Sequence, residues 1–189
     1  MPNHLNGVRW STAPQEGQKG ENLRIIRAPQ SGTLRVMILS HQVTGTMTHY
    51  TNGRTQPCMG KGCPSCAQAT PARWHGWLIV LNEASDEKMI LEITEGPGET
   101  LAAFYSEHRT LRGLRVKLSR PSGKQNGRVH MLRGDQVTNH AELPKCPDLQ
   151  KVLLKIWGLT DGDGLAVVGD GGPPHGDLPG QTYIGNAVG

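Results

Sequence analysis

Between residues 23 and 157 the apolar positions change period several times, and each change marks an element. Leu34, Val36 and Ile38 alternate with Arg35, Met37 and Leu39, the two-residue period of a first strand. Trp74 to Leu81 is bulky and almost continuously apolar and gives a second. In a third, Met89, Leu91 and Ile93 alternate with Ile90, Glu92 and Thr94, and the short link Asn82 to Glu87 predicts a hairpin between the two. The period then lengthens: Leu101, Phe104, Tyr105, His108 and Leu111 recur at three- and four-residue steps, with Pro97 suited to a first helical turn and Gly113 to a C-cap. Two more strands follow, with Leu114, Val116 and Leu118 facing away from Arg115, Lys117 and Ser119, and Val129 and Met131 facing away from Arg128, His130 and Leu132. Their connector, Pro121 to Gly127, is rich in turn residues. Asp148 can cap a last amphipathic helix, with Leu149, Val152, Leu153, Ile156 and Trp157 on one stripe and Gly158 closing it.

Three strands, a helix and two strands predict a mainly β fold, a five-stranded OB-fold barrel with a C-terminal helix. That domain spans 23–157. Residues 1–22 hold only Val8 and Trp10 as sizeable apolar groups, too few to offset the entropy of ordering them, so a flexible N-terminal arm is expected. Residues 158–189, with ten glycines, predict a flexible tail. The tail is also acidic: Lys and Arg stop before Trp157, leaving 1–157 with 20 basic and 12 acidic groups while the whole chain carries +4. No apolar run is long enough to cross a membrane, and the N-terminus lacks the charged and apolar blocks of a signal peptide, so a cytoplasmic, membrane-free protein is expected.

Three of the four cysteines fall within nine residues, in the series His49-x8-Cys58-x4-Cys63-x2-Cys66. One imidazole and three thiolates are a common closed set for one structural zinc ion, and the Cys63-Pro64-Ser65-Cys66 step is a knuckle that brings two sulfurs to one metal. The segment 49–66 has almost no aliphatic residues, so metal binding must supply the folding energy that a core would otherwise give. His41 or His75 are alternatives to His49 as fourth ligand, and Cys146 reads as a free or partly buried thiol. A catalytic zinc of the deaminase kind pairs H-x-E with P-C-x-x-C. Here Tyr50 and Thr51 follow His49, and no acidic residue lies between Gln42 and Asn82, which argues against an enzyme.

From Arg109 to Arg133 eight basic residues run without an Asp or Glu, a pattern that makes sense beside a polyanion. Arg115, Lys117, Arg120, Lys124 and Arg128 fall on the fourth strand and the loop after it, and Arg54, Lys61 and Arg73 lie in or beside the zinc loop. In an OB-fold these two loops flank the oligonucleotide-binding face. Single-strand binders add aromatic platforms for stacking. Tyr50 in the zinc loop is a candidate, and Trp74 and Trp77, an odd step apart, face opposite ways, so one joins the core and the other, Trp77, is the candidate for a base.

A His followed by three Cys ending in Cys-x2-Cys, in the first long loop of such a barrel ahead of an acidic tail, resembles the helix-destabilising single-stranded DNA-binding proteins of T-even phages. The similarity covers the ligand order and strand succession over about residues 34–133, with shorter ligand spacings. It implies a structural zinc on His49, Cys58, Cys63 and Cys66, a groove for single-stranded DNA, and a place in DNA replication, recombination or repair alongside the proteins of those processes. An RNA-binding module and a zinc-containing accessory protein that docks on a nucleic-acid-processing complex are the alternatives.

Overall fold

The computed structural model describes residues 23–51, 53–124 and 127–159, so the expected arm and all of the expected tail beyond Gly158 and Leu159 lie outside the described residues. In chain order the elements are β1 (Ile25–Ile26), β2 (Thr33–Ile38), β3 (Thr44–Thr51), β4 (Arg54–Pro57), α1 (Pro64–Ala67), β5 (Ala72–Asn82), β6 (Lys88–Thr94), α2 (Glu95–His108), β7 (Leu114–Ser119), β8 (His130–Gln136) and α3 (Leu149–Trp157). The strands form one mixed sheet in the order β1-β6-β5-β2-β7-β8, with β3 on β5 and β4 on β3. Only the short β1–β6 pair is parallel among the described residues.

The long β5 is the hub of this sheet. Its first half, Ala72–Trp77, pairs with β3, its end, Val80–Asn82, pairs with β2, and β6 lies along its other edge. Between β2 and β3 the chain bends without losing its ladder, because the Leu39 and Ser40 N–H groups both donate to the Ile79 carbonyl, at 2.8 and 3.3 Å. The Ser40 hydroxyl in turn accepts from the Ile79 N–H at 2.8 Å.

Apolar alternation on these strands separates two cores. Val36, Ile38, Leu78, Val80, Leu91, Leu114 and Leu118 pack on one side of the sheet with Leu101 and Phe104 of α2. On the other side Leu39, Trp77, Ile79 and Ile90 are covered by Leu149 and Leu153 of α3. Strand β5 is therefore buried on both faces, which is why its sequence reads as a continuous apolar run rather than an alternation. Trp74 enters the first core through a slot of small residues: a Cβ added at Gly45, Gly76 or Gly98 would come within 2.5 to 2.6 Å of its ring.

Asp148 caps α3 by accepting from the Lys151 N–H, and Gly158 ends it in the left-handed region, both as the sequence predicts. Helix α2 stops earlier than expected. It ends at His108, and Arg109, not Gly113, adopts the left-handed cap (φ 60°), with its N–H donating to the Tyr105 carbonyl. Gly113 is needed for a different reason: at φ 85° its missing side chain would strike the Val137 carbonyl oxygen. The last strand runs over 130–136 rather than 128–132, because its register on β7 is Ser119 to His130 at one end and Leu114 to Gln136 at the other. The expected order of strand, strand, strand, helix, strand, strand is present as β2, β5, β6, α2, β7, β8, with β1, β3 and β4 added. Among the described residues no pairing joins β8 to β6 or β1, so the sheet is open rather than a closed five-stranded barrel. No helix among them is long and apolar enough to cross a membrane.

Candidate metal centre and its basic surroundings

The β3–β4 hairpin lifts the metal-ligand residues off the edge of the sheet. His49 sits opposite Gln56 on β4 and Ala72 on β5, so the imidazole leaves from a fixed strand position and is buried. The Cys58 N–H donates to the Met47 carbonyl at 2.8 Å, which carries the ladder one residue past β4. Gly60 and Gly62, both at positive φ, then reverse the chain toward Cys63. Pro64 occupies the first turn of α1, and the Ala67 and Gln68 N–H groups close that turn on the carbonyls of Cys63 and Pro64 at 3.1 Å each. This single turn brings Cys63 and Cys66 to one side.

The ligating atoms of His49, Cys58, Cys63 and Cys66 all lie within 4.8 Å of one another. Cys58 Sγ and Cys66 Sγ are 3.6 Å apart, and Cys66 Sγ is 3.3 Å from His49 Nε2. Zinc–sulfur bonds of about 2.3 Å in a tetrahedron place sulfurs about 3.8 Å apart, so these edges have the right size for one ion. The His49 Nδ1–H donates to the Thr70 carbonyl at 2.9 Å, which fixes the tautomer and leaves the Nε2 lone pair facing the sulfurs. The thiols themselves call for a cation. Burial pushes the Cys63 thiol up, but the N–H groups of Cys66, Met59 and Ser65 outweigh it and bring Cys63 down to about 6. The hydrogen bond with Cys58, followed by burial and by Cys63, pushes Cys66 up to about 11. One sulfur ionises readily and its neighbour resists a second negative charge, a conflict that a bound metal removes. The residues therefore fit a metal ion, and their donor set is compatible with zinc.

Neither alternative ligand enters this cluster. His41 Nδ1 pairs with the Thr110 hydroxyl at 3.0 Å. His75 Nδ1 lies 2.6 Å from the Thr48 hydroxyl, and burial holds its pKa below the ordinary histidine value. Cys146 is a half-buried free thiol, 3.9 Å from the Ser40 hydroxyl.

The basic residues divide into those already engaged and those facing water. Arg112 is buried and donates to the carbonyls of Leu39, Leu143 and Pro144. Arg120 donates to the carbonyls of Ala28 and Gly127. Arg115 forms ion pairs with Glu83 at 3.1 Å and Asp135 at 2.7 Å. The stretch 109–133 is thus not without counter-charges: its acidic partners come from outside it in sequence. Lys61, Arg73, Lys117, Lys124 and Arg128 are exposed, with no ion-pair partner among the described residues. Arg54 is exposed on β4, and Tyr50, 67% exposed, stands opposite Thr55 on the hairpin. Trp77 does face away from Trp74, as the odd step predicts, but it is only 1% exposed. Its ring packs edge-on against Trp157 at 5.1 Å, so it offers no face to a base. Sequence reasoning also passed over Arg27, which pairs with buried Glu92 at 2.9 Å and donates to the Thr55 hydroxyl at 3.0 Å, tying the metal hairpin to β6. Arg35, exposed and opposite Lys117, was passed over too, although its place in the alternation of the first strand marked it as outward. No protein-family model, curated protein or solved structure matches the chain.

Proposed function

We propose that this protein binds single-stranded DNA without sequence preference, through an OB-like sheet stiffened by one structural zinc ion on His49, Cys58, Cys63 and Cys66. The observation that carries the reading is the set of exposed cations with no ion-pair partner among the described residues, Lys61, Arg73, Lys117, Lys124 and Arg128, spread over the loop between Cys58 and Cys63, β5, β7 and the β7–β8 loop. A surface of this kind is stabilised by an extended polyanion. Tyr50 adds an exposed aromatic ring on the β3–β4 hairpin, suited to stacking on a base.

The OB-like reading is supported by the pairing of the first strand: β2 bonds antiparallel to β5 and to β7, the second and fourth strands of such a fold. The metal would serve folding rather than chemistry. Four protein ligands fill a tetrahedral ion, no acidic residue lies from Gln42 to Asn82 to act as a base, and the chain 53–71 supplies only Pro57 and Cys63 to the buried groups. Replication, recombination and repair are the settings in which such a binder acts.

Titration of a labelled single-stranded oligonucleotide at several salt concentrations tests the reading. The expected result is a log affinity that falls linearly with log salt, by about 0.7 per neutralised phosphate, and changes little with base sequence. An affinity independent of salt overturns it. Competition by a matched RNA strand at equal strength would move the assignment to RNA.

A further inference from the structure

The face by which OB-folds grip oligonucleotides, the outer side of the second and third strands, is largely filled in this protein. Trp77, Ile79 and Ile90 point outward from β5 and β6, but α3 lies on them with Leu149 and Leu153. A bound strand needs another track.

The outer side of β2, β7 and β8 offers one. Arg35 and Lys117 are cross-strand partners, and on the other flank of Lys117 stands Leu132, 66% exposed. Directly opposed residues project from the same face, with Cβ atoms about 5 Å apart, and like charges in that relation destabilise a sheet. Neither Arg35 nor Lys117 has an ion-pair partner among the described residues to relieve this. One row away, Arg115 is neutralised by Glu83 and Asp135, which closes that end. The other end leads through His130 to exposed Arg128. A short cationic lane with an apolar residue on its border results, and its chemistry matches a flexible chain of phosphates carrying apolar bases.

We propose that single-stranded nucleic acid crosses this outer face, with Arg35 and Lys117 holding phosphates and Leu132 packing against a base. The placement rests on the nucleic-acid reading above and adds a location to it. Fluorescence anisotropy of a labelled mixed-sequence single strand, with the full chain, separates the two. R35A/K117A is compared with K145A/K151A, which removes the same charge from exposed positions before and on α3. The expected result is an affinity at least about tenfold lower for R35A/K117A, with the salt slope flattened by about 1.4 for two lost phosphate contacts, and a change within about twofold for K145A/K151A. L132A should weaken binding without changing the slope. Equal losses in the two double variants, or no loss in R35A/K117A while the wild type binds, overturn the placement and leave the nucleic-acid reading standing. A wild-type chain that binds no single strand overturns both. Melting temperature guards against misfolding, since removing two opposed like charges should leave it equal or higher.

Discussion

Arg112 and Lys117 are five residues apart in one basic stretch, yet they do different work. The Arg112 guanidinium is enclosed and gathers three carbonyls, one from the bend after β2 and two from the segment before α3, so it ties the turn ahead of β7 to both. The Lys117 ammonium faces water. Replacing Arg112 by alanine leaves those carbonyls without donors and should cost about 2–4 kcal/mol in urea unfolding, whereas Lys117→Ala should change stability by less than about 0.5 kcal/mol. Oligonucleotide affinity should show the reverse order when only folded protein is counted. Charge counting could not separate these residues, because Arg112 is claimed by carbonyls 73, 31 and 32 positions away in sequence. Parity was more informative: the odd step between Trp74 and Trp77 placed them on opposite faces, and only the arrival of α3 from far along the chain decided that neither would be free.

At the scale of elements, the strands that carry large alternating apolar residues were legible, and β7 and α3 were bounded to the residue. Strand β3 was not. Its sequence Thr-Gly-Thr-Met-Thr-His-Tyr-Thr has no large aliphatic pair to alternate, and its strand character comes from β-branched threonines and from pairing with β5. The hairpin it begins is therefore invisible to periodicity, while spacing points to the three cysteines directly and leaves His41 and His75 beside His49 for the fourth place, since ligand chemistry is local and strand pairing is not. A division of stability follows. The sheet has its own two cores, while residues 53–71 add only Pro57 and Cys63 to the buried groups and carry three members of the candidate metal cluster. With the zinc ion proposed above, chelation or Cys63→Ala should abolish stoichiometric metal and remove hydrogen-exchange protection from about residue 45 to residue 71, while the amides of Leu78 and Val80 stay protected. Loss of protection across the whole sheet, or none anywhere, contradicts this division.

Over the whole molecule, charge is distributed against stability. Residues 1–157 hold 20 basic against 12 acidic groups, and among the described residues ion pairs take up only part of the excess, leaving Arg35 facing Lys117, with Lys61, Lys124 and Arg128 exposed on the loop before Cys63 and on the β7–β8 loop. Self-repulsion of this kind weakens with screening, whose length is about 10 Å at 0.1 M salt. The free protein should therefore melt at a higher temperature as sodium chloride rises from about 0.02 to 0.3 M. A bound polyanion does the same work as salt and competes with it. Saturating single strand at low salt should raise the melting temperature, by an amount corresponding to about 2.7 kcal/mol at a hundred times the dissociation constant. That gain should shrink as salt is added, because each neutralised phosphate releases its counterions less favourably. The two trends have opposite signs, and thermal melts with and without oligonucleotide across one salt series measure both. A free protein destabilised by salt, or a ligand-induced gain that persists unchanged at 0.3 M, would mean that the basic surface is balanced within the fold and has no polyanion to await.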